Sequence, residues 1–457
     1  MTWTGSNSRT IVVAVVYLSL FLDNVLLTVV VPIIPDYLCT LDGNSTTNGE
    51  DDENGRVGLL LSSKALVQLI LNPAVGTLTG TLGYTKPLFL GNLSLLLAAM
   101  PLFDATKVHG TKDREQRYLL NATTIAVFAF GQTYEVLFLA RSVQGISSAC
   151  IGVSGMSLVA SQYPEEDKRS KIMGFVLGSI ALGVLVGYPI GSVLYDLEGK
   201  MAPFLLVSCF IVVTICLQVL TLDVKTKTES SERKTSWTHL LSDSHILIIF
   251  GAIWCSTSPM AILEPCLPIW LRTHIKPKKW QLGTVFIPDS VGYLIGTNFF
   301  GMIAYRYGRS KVAVLAMFVV GISTFLIPFA ETMSQLIVPH LGMGLGIGVA
   351  DAALVPLLAS LVDQNGDYGP VYSIQQVAVS LAYSLGPILG GEMVKSIGFQ
   401  WVMRIVGLMN VGYCPLLIYL TLERRKLLTQ QDEKSDYETF QKSVAKYERF
   451  QDSDDDL

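Results

Sequence analysis

The chain has 457 residues, of which 50% are hydrophobic and only 15% are charged, and its formal net charge at pH 7 is −4. A soluble protein carries about 25% charged residues, so this composition is typical of a membrane protein and argues against a soluble enzyme. The sequence has no basic face for nucleic acid, and its seven cysteines form no CxxC or Cys/His cluster for a metal site or disulfide framework.

Apolar runs long enough to cross about 30 Å of hydrocarbon recur along the whole chain. The first contains Asp23 and Asn24 near its centre and has no small-residue cleavage site after it, so it is not expected to be a signal peptide. Because the number of runs is even, both termini should lie on one side. The twelve predicted spans cover residues 11–35, 57–76, 87–103, 133–160, 172–195, 202–222, 246–271, 282–304, 312–330, 335–361, 371–394 and 401–422.

Lysine and arginine predict the orientation, since short cytoplasmic loops retain them. They are concentrated in the loops on the same side as the termini, although a basic cluster at 272–279 runs against this rule. We therefore expect cytoplasmic termini. The loop 36–56, with six acids against Arg56, would then be lumenal, and Asn44 in the sequon Asn-Ser-Thr could be glycosylated there.

Residues 101–126 interrupt the third span with charged side chains. Without them, the flanking apolar segments would join into one continuous helix. The segment is therefore either a lumenal insertion or a stretch, such as a retained intron, that the working protein lacks.

The second half of the sequence echoes the first. Residues 76–86 and 301–311 both place Gly, Gly and Lys at offsets 0, 7 and 10. Such a repeat is the signature of secondary transporters built from two halves. We expect two six-helix halves, 1–222 and 246–422, with a cytoplasmic linker at 223–245 and an acidic cytoplasmic tail at 423–457.

Six ionisable residues lie in the central parts of the predicted spans, where each costs roughly 2.5–3.5 kcal/mol and is therefore a functional candidate. They are Asp23, Lys64, Arg141, Glu264, Asp289 and Asp351. Four acids against two bases leave an excess of negative charge. A carboxylate that binds either a proton or a cationic substrate is the minimal machinery of proton–cation exchange. Aromatic residues in or near the spans could surround an organic ammonium, namely Trp270, Phe286, Tyr293 and Tyr383.

Longer motifs resemble a known family. The glycine-rich basic loops resemble the signature of the major facilitator superfamily, and residues 183–191 resemble its antiporter motif. The chain is similar to the vesicular monoamine transporters over nearly its whole length, except 101–126 and the tails. The segments that carry this resemblance are 22–38, 63–73, 140–150, 182–195, 261–270, 280–301 and 383–387.

The resemblance implies an all-α membrane protein with twelve transmembrane helices in two six-helix pseudo-repeats, and it implies roles for individual residues. Asp351 would serve proton coupling together with Asp23, with Tyr293 near it, and Lys64 and Gln68 would form a polar network beside the substrate path. The residues expected to bind substrate are Asp23, Asn24, Arg141, Thr257, Glu264, Trp270, Phe286 and Tyr383.

The chain also departs from the family pattern. The family has a membrane carboxylate in span 11, and this chain has Gln376 in its place. An amide cannot exchange a proton, so the number of protons exchanged and the partner of Lys64 stay open. Asp289, in span 8, stands where the family has a small residue and could supply the missing charge. Thr257 replaces a pocket asparagine, so amine selectivity could differ, and Cys39 has lost the family's disulfide partner.

The tail has the form of a vesicle sorting signal. Glu423 precedes the pair Leu427 and Leu428, which is the pattern of an acidic dileucine signal that a clathrin adaptor would recognise. Together these features predict a vesicular proton antiporter for cationic monoamines that needs no cofactor. The alternatives are a carrier of another organic cation, such as acetylcholine or a polyamine, a multidrug exporter, or a ligand sensor that no longer transports.

Overall fold

The computed structural model describes residues 5–30, 50–99, 134–198, 201–222, 237–277, 281, 284–362 and 367–423, and this part of the chain contains helices and no strand. Helices dominate because lipid offers no partner for backbone N–H and C=O groups, which a helix satisfies within itself. The long helices are α1 (Gly5–Val29), α2 (Glu50–Leu82), α3 (Thr85–Ala99), α4 (Tyr134–Gln162), α5 (Glu166–Glu198), α6 (Met201–Thr221), α7 (Ser244–His274), α8 (Ile287–Tyr307), α9 (Arg309–Leu326), α10 (Met333–Val362), α11 (Gly369–Ile397) and α12 (Phe399–Glu423).

These helices correspond one to one with the predicted spans, and the all-α membrane fold is confirmed. Ten of the described helices are long and apolar enough to cross a membrane. Helix α3, with 15 residues, would extend about 22 Å. Helix α8 has 21 residues but does not belong to those ten. It carries Asp289 and Asn298, which place polar atoms inside the bundle or against the other half.

The packing of the helices repeats between the two halves. Helix α1 packs on α5 as α7 packs on α11, α2 packs on α4 as α8 packs on α10, and α3 packs on α4 as α9 packs on α10. The two halves meet mainly through α2 with α11 and α5 with α8. This correspondence is what a pseudo-repeat of six helices produces.

Small residues allow close helix approach at the predicted antiporter motif. A Cβ on Gly183 would lie 2.6 Å from the Phe21 carbonyl oxygen, and one on Gly191 would lie 2.9 Å from that of Val29. Both carbonyls belong to α1. The motif therefore brings α5 against α1, which carries Asp23 and Asn24.

The outer surface is apolar, as lipid requires. Large side chains such as Ile70, Phe299 and Leu220 are 73%, 68% and 82% exposed. Polar and charged side chains are instead buried in the bundle, among them Asp23, Lys64, Arg141, Asp289 and Asp351. The structure therefore separates a lipid-facing shell from a polar interior.

Several predicted features lie outside the described residues. They are Asn44, Cys39, the segment 101–126, most of the linker 223–245, and the tail beyond Glu423 with Leu427 and Leu428. Within the linker, residues Trp237–Ser242 form a short helix before α7.

Candidate functional site

Two adjoining cavities lie between the halves, with volumes of about 200 and 150 Å³. Each greatly exceeds the roughly 30 Å³ that one water molecule occupies in the liquid. The first is bordered by helices of both halves and contains Asp23, Lys64 and Glu264 in its wall, whereas the second contains Asp289 and Asp351. Six residues line both cavities, so the two form one compound site: Ile180, Val184, Met260, Gln376, Val379 and Tyr383.

The N-terminal half contributes a buried ion pair. Lys64 Nζ on α2 lies 3.4 Å from Asp23 Oδ2 on α1. The Ser148 hydroxyl on α4 lies 2.8 Å from Oδ1 and 2.7 Å from Oδ2 of Asp23, and it donates its one proton to this carboxylate. Paired and hydrogen-bonded in this way, Asp23 and Lys64 add no net charge to the cavity.

Arg141 lies behind this pair and does not line either cavity. Its guanidinium donates to Gln144 Oε1 at 3.2 Å and to the Leu27 carbonyl oxygen at 3.4 Å. Gln144 in turn donates to the Asp23 carbonyl oxygen at 3.1 Å. Arg141 is thus connected to Asp23 through Gln144, and its predicted contact with substrate stays a prediction.

Glu264 on α7 projects from the C-terminal half into the larger cavity. Its Oε1 accepts a hydrogen bond from Tyr188 Oη on α5, at 3.2 Å. Among the described residues, the ion pairs do not include Glu264. A half-buried carboxylate with a hydroxyl donor and no cationic partner is suited to bind an ammonium group.

Two more acids line the smaller cavity. Asp351 Oδ2 on α10 accepts from Tyr293 Oη on α8 at 2.8 Å, so these two predicted coupling residues are in direct contact. Asp289 is 7% exposed, and its Oδ1 is buried without a hydrogen-bond partner in the described part of the chain. Thr257 also lines this cavity, but its hydroxyl donates to the Ile253 carbonyl oxygen at 2.8 Å.

Gln376, which stands at the expected carboxylate position, joins the halves. Gln68 Nε2 on α2 donates to Gln376 Oε1 on α11 at 3.2 Å, and one turn away Asn72 Nδ2 donates to Ser380 Oγ at 2.8 Å. The predicted polar network is therefore divided, because Lys64 pairs with Asp23 while Gln68 pairs with Gln376. The partner of Lys64, left open by the sequence, is Asp23.

The aromatic candidates occupy different places. Tyr383 lines both cavities. Phe286 and Trp270 line neither, since Phe286 stacks on Tyr188 with ring centroids 6.3 Å apart and Trp270 stacks on Phe399 at 4.9 Å. Phe286 thus contacts the ring that holds Glu264, whereas Trp270 packs near the end of α7.

Sequence reasoning missed Tyr188 and Ser148. Tyr188 lies within the glycine motif of residues 183–191, and the signal that could have identified it is that a tyrosine inside a span needs a hydrogen-bond partner. Ser148 carried no signal, because small polar residues are common in membrane helices. Among the described residues, no three His, Cys, Asp or Glu side chains are grouped closely enough to hold a metal ion.

Close contacts join the halves at one end of the bundle, where α2 and α8 end and α5 and α11 begin. A Cβ on Gly76 would lie 2.6 Å from Ser373 Cβ, and one on Gly301 would lie 2.7 Å from the Ser170 carbonyl oxygen. At the same end Arg309 pairs with Glu166 at 3.3 Å across the halves. The helices therefore close the cavities at the end that the sequence predicts to be cytoplasmic.

Comparison with known proteins identifies the family. The profile of the Major Facilitator Superfamily matches residues 13–287 and 249–450. The human synaptic vesicular amine transporter is 37% identical over 90% of this chain and 88% of its own length. The rat chromaffin granule amine transporter is 35% identical over 99% of this chain and 96% of its own. A zebrafish (Danio rerio) protein named probable vesicular acetylcholine transporter-B is 34% identical over 90% of this chain and 79% of its own length.

Solved structures show the same fold at low sequence identity. The human organic anion transporter MFSD10 (TETRAN) superposes with a TM-score of 0.67 at 18% identity, covering 90% of this chain and 99% of its own. The E. coli fucose:proton symporter FucP superposes with a TM-score of 0.62 at 12% sequence identity, covering 90% of this chain and 98% of its own. With its fold, its interior acids and these similarities in agreement, the chain belongs to the vesicular amine transporters of the major facilitator superfamily.

Proposed function

We propose that this protein loads cationic monoamines from the cytosol into acidic secretory or synaptic vesicles in exchange for protons. The observation that carries the proposal is the charge of the compound cavity. Its only described lysine is paired with Asp23, while Glu264, Asp289 and Asp351 face the cavity without a cationic partner. Such a site binds protons or an organic cation to offset its charge.

The contacts suggest how the exchange works. In the cytosol-facing state, Glu264 holds the ammonium of the substrate. Once the halves have rocked to open towards the lumen, protons from the acidic interior neutralise the carboxylates and the amine leaves. Return to the cytosol releases the protons, because the cytosolic pH is higher. Amine and protons each shift the equilibrium between the cytosol-facing and lumen-facing states only because they bind these two states with different affinity.

Asp351 and Asp289 are the proposed proton-coupling groups of the C-terminal half, with Asp23 in the N-terminal half. Gln376 cannot exchange a proton, and its amide is already bonded to Gln68. Asp289 has no protein donor in the described part, so it is free to take the proton that an acid at position 376 would carry. Asp289→Asn should lower uptake and change its pH dependence, and an unchanged pH profile would refute this assignment.

Uptake into acidified vesicles tests the function. Cells expressing the full chain are permeabilised and supplied with radiolabelled serotonin or dopamine, with and without a protonophore. Accumulation should require the pH gradient and should be severely reduced by Glu264→Gln. Accumulation that continues after the gradient is collapsed would overturn the proposed mechanism.

A second candidate is transport of a quaternary ammonium such as acetylcholine, favoured by the 34% identity to the probable vesicular acetylcholine transporter. The Glu264 carboxylate, which has no cationic partner among the described residues, favours the monoamine instead, since a primary ammonium donates hydrogen bonds and a quaternary one does not. Competition of serotonin uptake by dopamine, histamine, octopamine, acetylcholine and a polyamine separates these substrates. Binding without accumulation would instead indicate a sensor.

The cellular features remain proposals that follow from this function. We infer cytoplasmic termini, a glycosylated lumenal Asn44, and adaptor recognition of Leu427 and Leu428. Glu423, the acidic residue of that signal, ends α12 and has its Oε2 3.7 Å from His245 Nε2. The acid is therefore in contact with the start of α7.

A further inference from the structure

An arginine lies on the lipid-facing side of the C-terminal half, away from the transport cavities. Arg404 occupies α12 five residues after its first residue, Phe399, which is about 7.5 Å along the helix axis. At this end, α9 continues into a 3-10 turn, Ile327–Phe329. The guanidinium is therefore near the membrane boundary at the end opposite the closed contacts between the halves.

Aromatic rings hold the guanidinium in place. Its central carbon lies 4.8 Å from the ring centroid of Phe329 and 5.1 Å from that of Trp401. Phe329 and Trp401 are 56% and 59% exposed, so in a membrane they contact lipid. The cation is thus fixed at the lipid surface and is not turned towards the bundle interior.

Arg404 has no anionic partner in the described part of the protein. The ion pairs of the described residues do not include it, and its Nε is buried without a hydrogen-bond partner. An unpaired cation in contact with hydrocarbon is unfavourable, and a basic side chain near a helix end extends towards the phosphate region of the bilayer.

A groove leads from Arg404 along the helices. Its walls are formed by Phe325 on α9, by Phe329 in the 3-10 turn that follows α9, and by Trp401, Ile405 and Leu408 on α12. The two helices are in close contact at Gly407, where a Cβ would lie only 2.6 Å from the Gly321 carbonyl oxygen. The groove is therefore lined by apolar side chains and by one cation, Arg404, near the membrane boundary.

We propose that this groove binds a phospholipid, with the phosphate on Arg404 and an acyl chain along Phe325, Ile405 and Leu408. Charge complementarity selects this occupant. The lipid phosphate supplies the anion that Arg404 lacks, and an acyl chain matches the apolar walls of the groove. The groove also faces the bilayer, whose principal component is phospholipid. The bound lipid would fill the space between α9 and α12, outside the substrate path.

The experiment compares two lipids with the same acyl chains. Full-length protein purified in detergent is mixed with dioleoyl phosphatidylcholine or with dioleoylglycerol, which lacks the phosphate, and thermal unfolding is followed by fluorescence. The phospholipid should raise the Tm more than dioleoylglycerol does. Arg404→Gln should weaken the apparent affinity for the phospholipid about tenfold, the effect of losing one charged hydrogen bond, and abolish the difference between the lipids.

Two further variants make the result specific. Arg306→Gln removes an exposed arginine at the opposite membrane boundary and should keep the wild-type response. Leu408→Trp fills the groove while leaving Arg404 in place, and it should also reduce the response, which gives a test if Arg404→Gln does not fold. The proposal is overturned if the wild type responds equally to both lipids, or if Arg404→Gln or Leu408→Trp responds like the wild type.

Discussion

Gly174 provides the sharpest test of how the two halves move. It lies on α5 where that helix crosses α8, and a Cβ there would overlap the backbone carbonyl oxygen of Thr297. Because the obstacle is backbone, a side-chain rotation cannot relieve it. Gly174→Ala should therefore force α5 and α8 apart at the end that we propose to be cytoplasmic.

The size of the effect follows from packing. Inserting a methylene into a tight contact costs about 1–3 kcal/mol. The contact between Gly174 and the Thr297 carbonyl exists only while this end of the bundle is closed. The added methyl group of Gly174→Ala therefore raises the free energy of the closed state and not that of the cytosol-open state. The equilibrium should shift towards the cytosol-open state by about 5- to 150-fold.

Labelling of a cysteine in the cavity measures this shift. Ile180 lines both cavities, and Ile180→Cys can be labelled from the cytosolic side with a membrane-impermeant maleimide, against the parent chain as background. Gly174→Ala should increase the labelling rate at least about fivefold and lower amine uptake. Gly412→Ala is the matched control, because a Cβ at Gly412 would meet nothing within 4 Å. Equal labelling rates in the two variants would refute the reasoning.

Three other outcomes are expected. Lys64→Met should lower the unfolding free energy by about 3–5 kcal/mol by leaving Asp23 buried and unpaired, and Asp23→Asn in the same chain should restore much of it in thermal unfolding. Tyr188→Phe should weaken amine uptake less than Glu264→Gln does, because it removes only the hydroxyl that holds the carboxylate; a larger defect would contradict that role. Gln376→Glu should change the pH dependence of uptake, whereas an unaltered profile would show that position 376 no longer takes part in coupling.

The sequence could predict the membrane fold because its signals are local. Each span is a continuous apolar run, and an apolar run of sufficient length must form a helix in lipid whatever its neighbours are. The ends of the helices differ from the ends of the predicted spans, as in α2, whose span is predicted from residue 57 and whose helix begins at Glu50. Polar residues continue the helix beyond the hydrocarbon, so the change in hydropathy marks the end of the apolar run and not the start of the helix.

The candidate acids could also be predicted, because a charge inside an apolar run is conspicuous. Their partners could not. That Lys64 pairs with Asp23, and that Glu264 is held by Tyr188 from the other half, depends on how helices far apart in sequence are rotated towards each other. The rotation of each helix about its own axis decides whether a side chain faces the cavity, another helix or lipid.

The sequence alone therefore determined that this is a twelve-helix membrane protein with two related halves and an excess of interior acids. Hydropathy and internal repeats depend only on the order of residues along the chain. Only the tertiary structure decided which acids remain without a cation. It placed Arg141 behind the cavity, joined Gln376 to Gln68, and left Asp289 and Glu264 facing the space between the halves. The reason is physical: the state of a buried charge depends on the groups within a few ångströms, and those groups come from distant parts of the chain.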